Sequence, residues 1–171
     1  MLSNALNRDV IIDRLDPVVS TFEIDVVPQQ VELLDNNSYA PDYAWMYSFE
    51  KRLKYRIQDL LKFRLAYNQE KILFGAGGVF SEGLSNAFVH GHRKNPNLPI
   101  TVWSAVSRKG LGFAISDQGS GFDFNKIMSD FTKGGNFFHI AGNGFSTLSS
   151  SKSVEAGYLE EGTSLCLIYL F

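Results

Sequence analysis

Glu82-Gly83-Leu84-Ser85-Asn86-Ala87-Phe88-Val89-His90-Gly91 is a run in which polar groups fall at i, i+4 and i+8 of an otherwise apolar helical pattern. Steps of four keep Glu82, Asn86 and His90 on one stripe of an α-helix, each about 6 Å along the axis from the next. A carboxylate, a carboxamide and an imidazole then share a face. Such a face can hold a hard cation through the asparagine oxygen, while the carboxylate, with no Lys or Arg beside it on the stripe, can act as a base. The same spacing also describes an ordinary solvated helix face, so the stripe alone does not choose between the two. His90 reads as a packing or supporting hydrogen-bonding residue rather than a catalytic one.

Around this run, the pattern predicts a helix from about Asn68, a plausible N-cap with Glu70 in the first turn, to Gly91, where glycine accepts the left-handed conformation. Ile100 to Val106 and Leu111 to Ser116 predict two strands joined by Ser107-Arg108-Lys109-Gly110, and the second runs directly into Asp117-Gln118-Gly119-Ser120-Gly121. A Gly-, Asn- and Phe-rich segment comes next, with a short helical piece around Phe124 to Phe131. Gly142-Asn143-Gly144 then opens another short helix, and two closing strands are expected near Val154 to Leu159 and Ser164 to Phe171, with Glu161-Gly162-Thr163 between them. Upstream, Phe49, Leu53, Ile57, Leu60, Leu61 and Leu65 line one stripe of a helix over about Tyr43 to Leu65. Its other face carries Lys51, Arg52, Lys54, Arg56, Lys62 and Arg64, which suits solvent or an acidic partner. Thr21 to Val27 alternates as a strand, and the polar loop from Asp35 to Asp42 closes an N-terminal region of residues 1–42, leaving 43–171 as the main domain.

At 171 residues, with 44% apolar content, the chain is long enough for one compact domain with a proper core. A net charge of -2 and a pI near 5.9 supply no general pull toward nucleic acid or an anionic membrane. Cys166 is the single cysteine, which excludes an intrachain disulfide or a thiolate metal cluster and suits a reducing compartment. No segment approaches the ~20 apolar residues of a membrane span, and the polar start (Ser3, Asn4, Asn7, Arg8, Asp9) lacks a signal-peptide core. These features lead us to expect a cytoplasmic protein with no direct nucleic-acid or membrane contact.

A helix bearing Glu-x-x-x-Asn, a strand ending in Asp-x-Gly-x-Gly, a glycine-bearing loop, Gly-x-Gly opening a helix, and Gly-Thr entering a final strand form a specific ordered series. In this order the sequence resembles the ATP-binding fold shared by DNA gyrase, heat-shock chaperones, sensor histidine kinases and mismatch-repair ATPases. Within it, the chain is most similar to bacterial anti-sigma-factor serine/threonine kinases. The likeness covers about residues 43–171: Glu82 to Gly91 resembles the first box, Asp117 to Gly121 the second, Gly142 to Gly144 the third, and Gly162-Thr163 the last. It implies an α+β fold of Bergerat type, a two-layer sandwich whose mixed sheet is covered by helices on one face, with ATP between the helices and a lid. The strand at 21–27 extends the likeness, the rest of residues 1–42 has no counterpart in it, and the helix after Gly144 is shorter and more polar than is usual in such kinases.

The residue chemistry agrees with what the resemblance implies. Asn86 can give its side-chain oxygen to Mg²⁺. Glu82 can accept a proton from an attacking hydroxyl. Asp117 suits the exocyclic amine of adenine, Gly119 and Gly121 let the base approach the backbone, and Thr163 can share a water with that carboxylate. Gly142 and Gly144 precede a helix whose free N–H groups can face phosphate. Lys133 or Lys126, and Arg93 or Lys94, are candidates for direct phosphate contacts. The histidines His90, His92 and His139 all fall inside the ATP-binding region, so no upstream phosphoacceptor helix is expected, and the chain has no room for a gyrase-like transducer domain. The expected function is an ATP- and Mg²⁺-dependent protein kinase in a partner-switching circuit. Such a protein would phosphorylate a small antagonist protein and sequester a sigma factor, and it could form a homodimer. The alternatives are a nucleotide-gated binding module without phosphotransfer, and a stand-alone ATPase.

Overall fold

A computed structural model describes residues 5–34, 40–121, 153–159 and 162–171. The expected helices near 124–131 and after Gly144 lie outside them. Four α-helices and five strands are described: α1 (Arg8–Leu15), β1 (Val18–Val26), α2 (Ala44–Leu61), α3 (Tyr67–Leu73), α4 (Val79–Asn86), β2 (Ile100–Ser107), β3 (Gly110–Ser116), β4 (Val154–Leu159) and β5 (Ser164–Leu170). Helices and sheet occupy separate layers, and all strands but β1 follow the helices in the chain, as in an α+β protein.

The strands form one sheet in the order β1-β2-β3-β5-β4. Every pairing in it is antiparallel, which corrects the expectation of a mixed sheet. The reason is topological. β3 and β4 point the same way, as the ends of a long crossover do, but β5 slots between them and pairs antiparallel with both. Parallel direction is present without parallel hydrogen bonding.

One face of the sheet meets α2, α3 and α4. Phe49, Leu53, Ile57 and Leu61 of α2, with Phe80 and Leu84 of α4, pack on Val102, Val106, Leu111, Phe113, Ile115, Leu165 and Leu167. The Phe80 and Phe113 rings meet at a tilt, 4.8 Å between centroids, and Trp45 meets Phe88 edge-on at 5.4 Å. The basic face of α2 is largely occupied within the protein: Arg52 pairs with Glu32, Lys54 with Glu70 and Lys62 with Asp59, while the Arg56 guanidinium lies 3.9 Å over the Phe22 ring.

The other face is covered too, so the expectation of helices on one face only is corrected. Leu6, with Ile11 and Leu15 of α1, buries Trp103, Ala105, Ala114, Cys166 and Ile168. Asn7 caps α1 by accepting from Val10 N at 3.0 Å. The central strands are buried along almost their whole length, and strands of continuous apolar character belong to sheets covered on both sides. α1 fits because Gly112 has no side chain; a Cβ there would overlap Ile11 Cγ2 and reach 3.3 Å from Leu15 Cδ1.

The predicted helix from Asn68 to Gly91 is instead three pieces. α3 is capped at Ala66 rather than Asn68, with Gln69 Oε1 accepting from Ala66 N at 2.8 Å. It stops at Phe74, where Gly75 and Gly77 adopt φ +83°, a conformation open to glycine. Gly78 leaves the Leu73 carbonyl room that a Cβ would take. The buried Glu50 carboxylate accepts from Gly75 N at 3.1 Å and ties this loop to α2.

Adding a Cβ at Gly112 should therefore force α1 off the sheet. We expect Gly112→Ala to cost about 1–3 kcal/mol as overpacking, and Ile11→Ala about 2–5 kcal/mol as a cavity. The double variant should cost clearly less than the sum, because the lost Ile11 methyl is the atom in the way. Urea unfolding of all four proteins tests this; additive costs would mean that α1 does not seat against Gly112.

Candidate functional site

α4 reaches the site by lying directly on the sheet. At Gly83 a Cβ would come 2.7 Å from Ile115 Cδ1 and 2.9 Å from Leu165 Cδ2, so the helix rests on β3 and β5 at a residue without a side chain. Glu82 and Asn86, on either side of that contact in sequence, are half-buried. Asn86 Nδ2 donates to the Tyr158 hydroxyl on β4 at 3.4 Å. This is the one hydrogen bond of its side chain among the described residues, so its oxygen is the atom left for a cation.

Beyond Asn86 the helix widens into a π-turn, Ala87–Gly91, closed by His92 N donating to Ala87 O at 2.9 Å, five residues back. The wider turn rotates the residues after it. Glu82 and Asn86 keep their common face in α4, while His90, inside the π-turn, is exposed, which does not fit a packing role. His92 takes the buried position, 3% exposed, and its Nε2 accepts from Gln118 N at 3.0 Å. Arg93 and Lys94 come next, exposed, both with positive φ.

The second element is the end of β3. Ser116 pairs with Ser164 across the ladder, and Asp117 N donates to Thr163 O at 2.9 Å. Thr163 thus meets Asp117 through the backbone. The Asp117 carboxylate turns back to accept from Gly119 N at 2.7 Å. It packs against Gly91, where any Cβ would overlap the carboxylate itself. Gly119 is needed for a reason internal to the fold: a Cβ there would stand 2.6 Å from Gly91 O and 2.7 Å from Asp117 Oδ1. Gly121 and Gly162 adopt φ +66° and +87°, positions suited to glycine.

Electrostatics tie these pieces together around Tyr158. Burial pushes its hydroxyl pKa up to about 12; the Asn86 hydrogen bond opposes this, and the carboxylates of Asp117 and Glu82 reinforce it. Glu82 has its pKa raised by burial. Asp117 is also raised, chiefly by burial, against the Gly119 hydrogen bond and the nearby His92. Both carboxylates are held where a donor or cation would relieve them. Glu82 also lines a cleft of about 230 Å³ with Ser81, Ser85 and Gly75 to Gly77; Asn86 and Asp117 do not line it. A larger cleft, about 350 Å³, lies between α2 and α3; it shares Gly75 and Ala76 with the first but touches none of Glu82, Asn86 and Asp117.

Glu82 and Asn86 on α4, Asp117 after β3 and Tyr158 on β4 are therefore brought to one place from separate stretches of the chain. Gly142, Gly144, Lys126, Lys133 and His139 lie outside the described residues. Tyr158 and His92 were not singled out by motif. The alternation Val154, Ala156, Tyr158 on the helix-facing side of β4 marks the tyrosine as inward and its hydroxyl as needing a partner; nothing in sequence marks the π-turn that turns His92 inward. No protein-family model matches the chain, and no curated protein matches it at a significant level.

The raised Glu82 pKa has a consequence for stability. The folded state prefers the protonated acid, so this group's contribution is full below about pH 4 and is lost as pH rises through the raised value. Glu82→Gln should therefore raise stability at pH 7, with the gain disappearing toward about pH 4. Denaturation midpoints at the two pH values test this; a gain of equal size at both would show that the carboxylate carries no burial cost.

Proposed function

We propose that the chain binds ATP with Mg²⁺ between α4 and the Asp117 turn, and transfers phosphate to a serine or threonine of a protein partner, as the anti-sigma-factor kinases it resembles do. In this reading the sheet with α2 to α4 is the two-layer Bergerat-type sandwich, and α1 is an addition on the outer face. The observation that carries the proposal is the Asp117 carboxylate, half-buried at a strand end and seated against Gly91 beside the helix that bears Asn86 and Glu82. A desolvated carboxylate with one backbone donor gains from a second donor, and the exocyclic amine of adenine is one.

The residues fit the group. Asn86 has its nitrogen directed to Tyr158, which leaves an oxygen, the ligand type that Mg²⁺ prefers. ATP with Mg²⁺, when bound, supplies the phosphoryl group and the charge that neutralises it. Asp117 orients the base. Glu82 takes the proton of the acceptor hydroxyl, and its raised pKa moves it toward the range where a carboxylate is an effective general base near neutrality. Gly142, Gly144 and Lys133 complete the phosphate contacts in this proposal, with Gly119, Gly121 and Thr163 shaping the adenine end. The acceptor is a small antagonist protein, and the sequestered target is a sigma factor.

If Asp117 reads adenine through a charge-assisted hydrogen bond of roughly 1.5–3 kcal/mol, Asp117→Ala should weaken ATP binding by about 10- to 150-fold while the protein stays folded. Unchanged affinity by calorimetry would remove the adenine assignment. Asn86→Ala should abolish most of the Mg²⁺ dependence of that affinity.

Glu82→Ala separates enzyme from binding module. Transfer to a partner, followed with γ-labelled ATP, should fall by about 10²- to 10⁴-fold while ATP affinity holds. Label released as free phosphate in the parent would indicate a plain ATPase. Partner binding switched by ATP with no transfer would indicate a gated binding protein.

A further inference from the structure

His92 is a buried histidine that the proposed phosphotransfer does not use. It closes the π-turn after α4, and its ring faces the turn that carries Asp117. Because Nε2 accepts from Gln118 N, the ring is neutral with its proton on Nδ1. That Nδ1 is buried and has no hydrogen-bond partner among the described residues.

The hydrogen bond falls at a sensitive place. Gln118 lies between Asp117, whose carboxylate abuts Gly91, and Gly119, whose N–H holds that carboxylate. His92 therefore anchors the middle of the three-residue turn from the residue next to Gly91. Asp117 is the charged group that bears on the ring; Arg93 and Lys94, next in the chain, are exposed.

We propose that His92 is a positioning residue for the adenine end of the site, holding the Asp117–Gly119 turn through Gln118 while its imidazole is neutral and releasing the turn when the ring is protonated. The inference rests on the ATP-binding reading for its consequence, but not for its geometry. Protonation acts in two ways. Nε2 becomes a donor, so Gln118 N loses its acceptor, and the new positive charge engages the Asp117 carboxylate that the adenine amine would use.

Burial lowers the His92 pKa, with Asp117 opposing, so the ring stays neutral through neutrality and charges only below the ordinary histidine range. The anchor is thus fully present above about pH 6.5 and is lost as pH falls through the depressed value. Asp117 also takes up a proton in acid, and its own pKa is raised, so a variant must separate the two steps.

The test compares parent, His92→Gln, which keeps an acceptor but cannot titrate, and His92→Phe, which has none. ATP affinity is measured for each from pH 8 to pH 5, and each variant is read as a ratio to the parent at the same pH, which cancels the ligand's own titration. We expect His92→Phe to bind roughly fivefold more weakly at neutral pH, the effect of one hydrogen bond of ordinary strength. His92→Gln should be near the parent at neutral pH and bind more tightly than the parent in acid. In the parent without nucleotide, NMR titration of the His92 ring should coincide with a loss of protection at the Gln118 amide, read as its exchange rate relative to the intrinsic rate at each pH. Parent-like affinity of His92→Phe, a constant ratio for His92→Gln, or Gln118 exchange that ignores the ring titration would each overturn the proposal. Should a variant fail to fold, the titration in the parent decides. If the parent binds no ATP, the nucleotide reading fails, and the Gln118 exchange still tests the anchor by itself.

Discussion

The close approach of α4 to the sheet at Gly83 is the constraint on which the site depends. Any side chain there would strike Ile115 and Leu165, and lifting the helix would carry Asn86 away from Tyr158. The same approach brings the π-turn down onto the Asp117 turn, where Gly91 and Gly119 make room for one carboxylate. Three glycines on two elements thus do one job: they let backbone and carboxylate occupy space that any Cβ would fill.

The sheet order serves the same end. Because β5 lies between β3 and β4, the end of β3 delivers Asp117 beside Thr163, and β4 places Tyr158 under α4. A sheet with β4 next to β3 would lose both contacts. α1 supports the arrangement from the far side, burying Trp103, Ala114 and Cys166 so that the central strands are dry on both faces. Packed interiors resist deformation, and a rigid floor keeps the strand ends that carry the site in place.

Two carboxylates held partly out of water are costly to a fold and useful to a binding site. Glu82 and Asp117 both have pKa values raised by burial, and Tyr158 beside them is buried with its hydroxyl on Asn86. Structural carboxylates usually meet a cation; among the described residues Asp117 has a backbone N–H and a largely neutral histidine. That pattern is the one expected where a ligand's donor or a metal ion completes the environment.

Much of the fold was legible in the residues themselves. The apolar stripe of α2, the hairpin of β2 and β3, and both closing strands come from periodicity, because each buries one regular face. The Glu82–Asn86 spacing and the turn after β3 were equally readable as chemistry on a helix and at a strand end. Other features had no local signal. A short helix such as α1 has too few turns for its pattern to stand out, and only the apolar outer face of the sheet gives Ile11 and Leu15 a place to bury. Gly75 and Gly77 break a helix whose side-chain pattern continues through them, since φ near +83° is a backbone property set by the loop's tie to Glu50. The π-turn turns His92 inward and His90 outward, a choice made by how the chain leaves α4 over the Asp117 turn. The order of residues settled which chemical groups are present and which local elements carry them. Packing in three dimensions settled which groups meet, because burial and close approach depend on partners far along the chain.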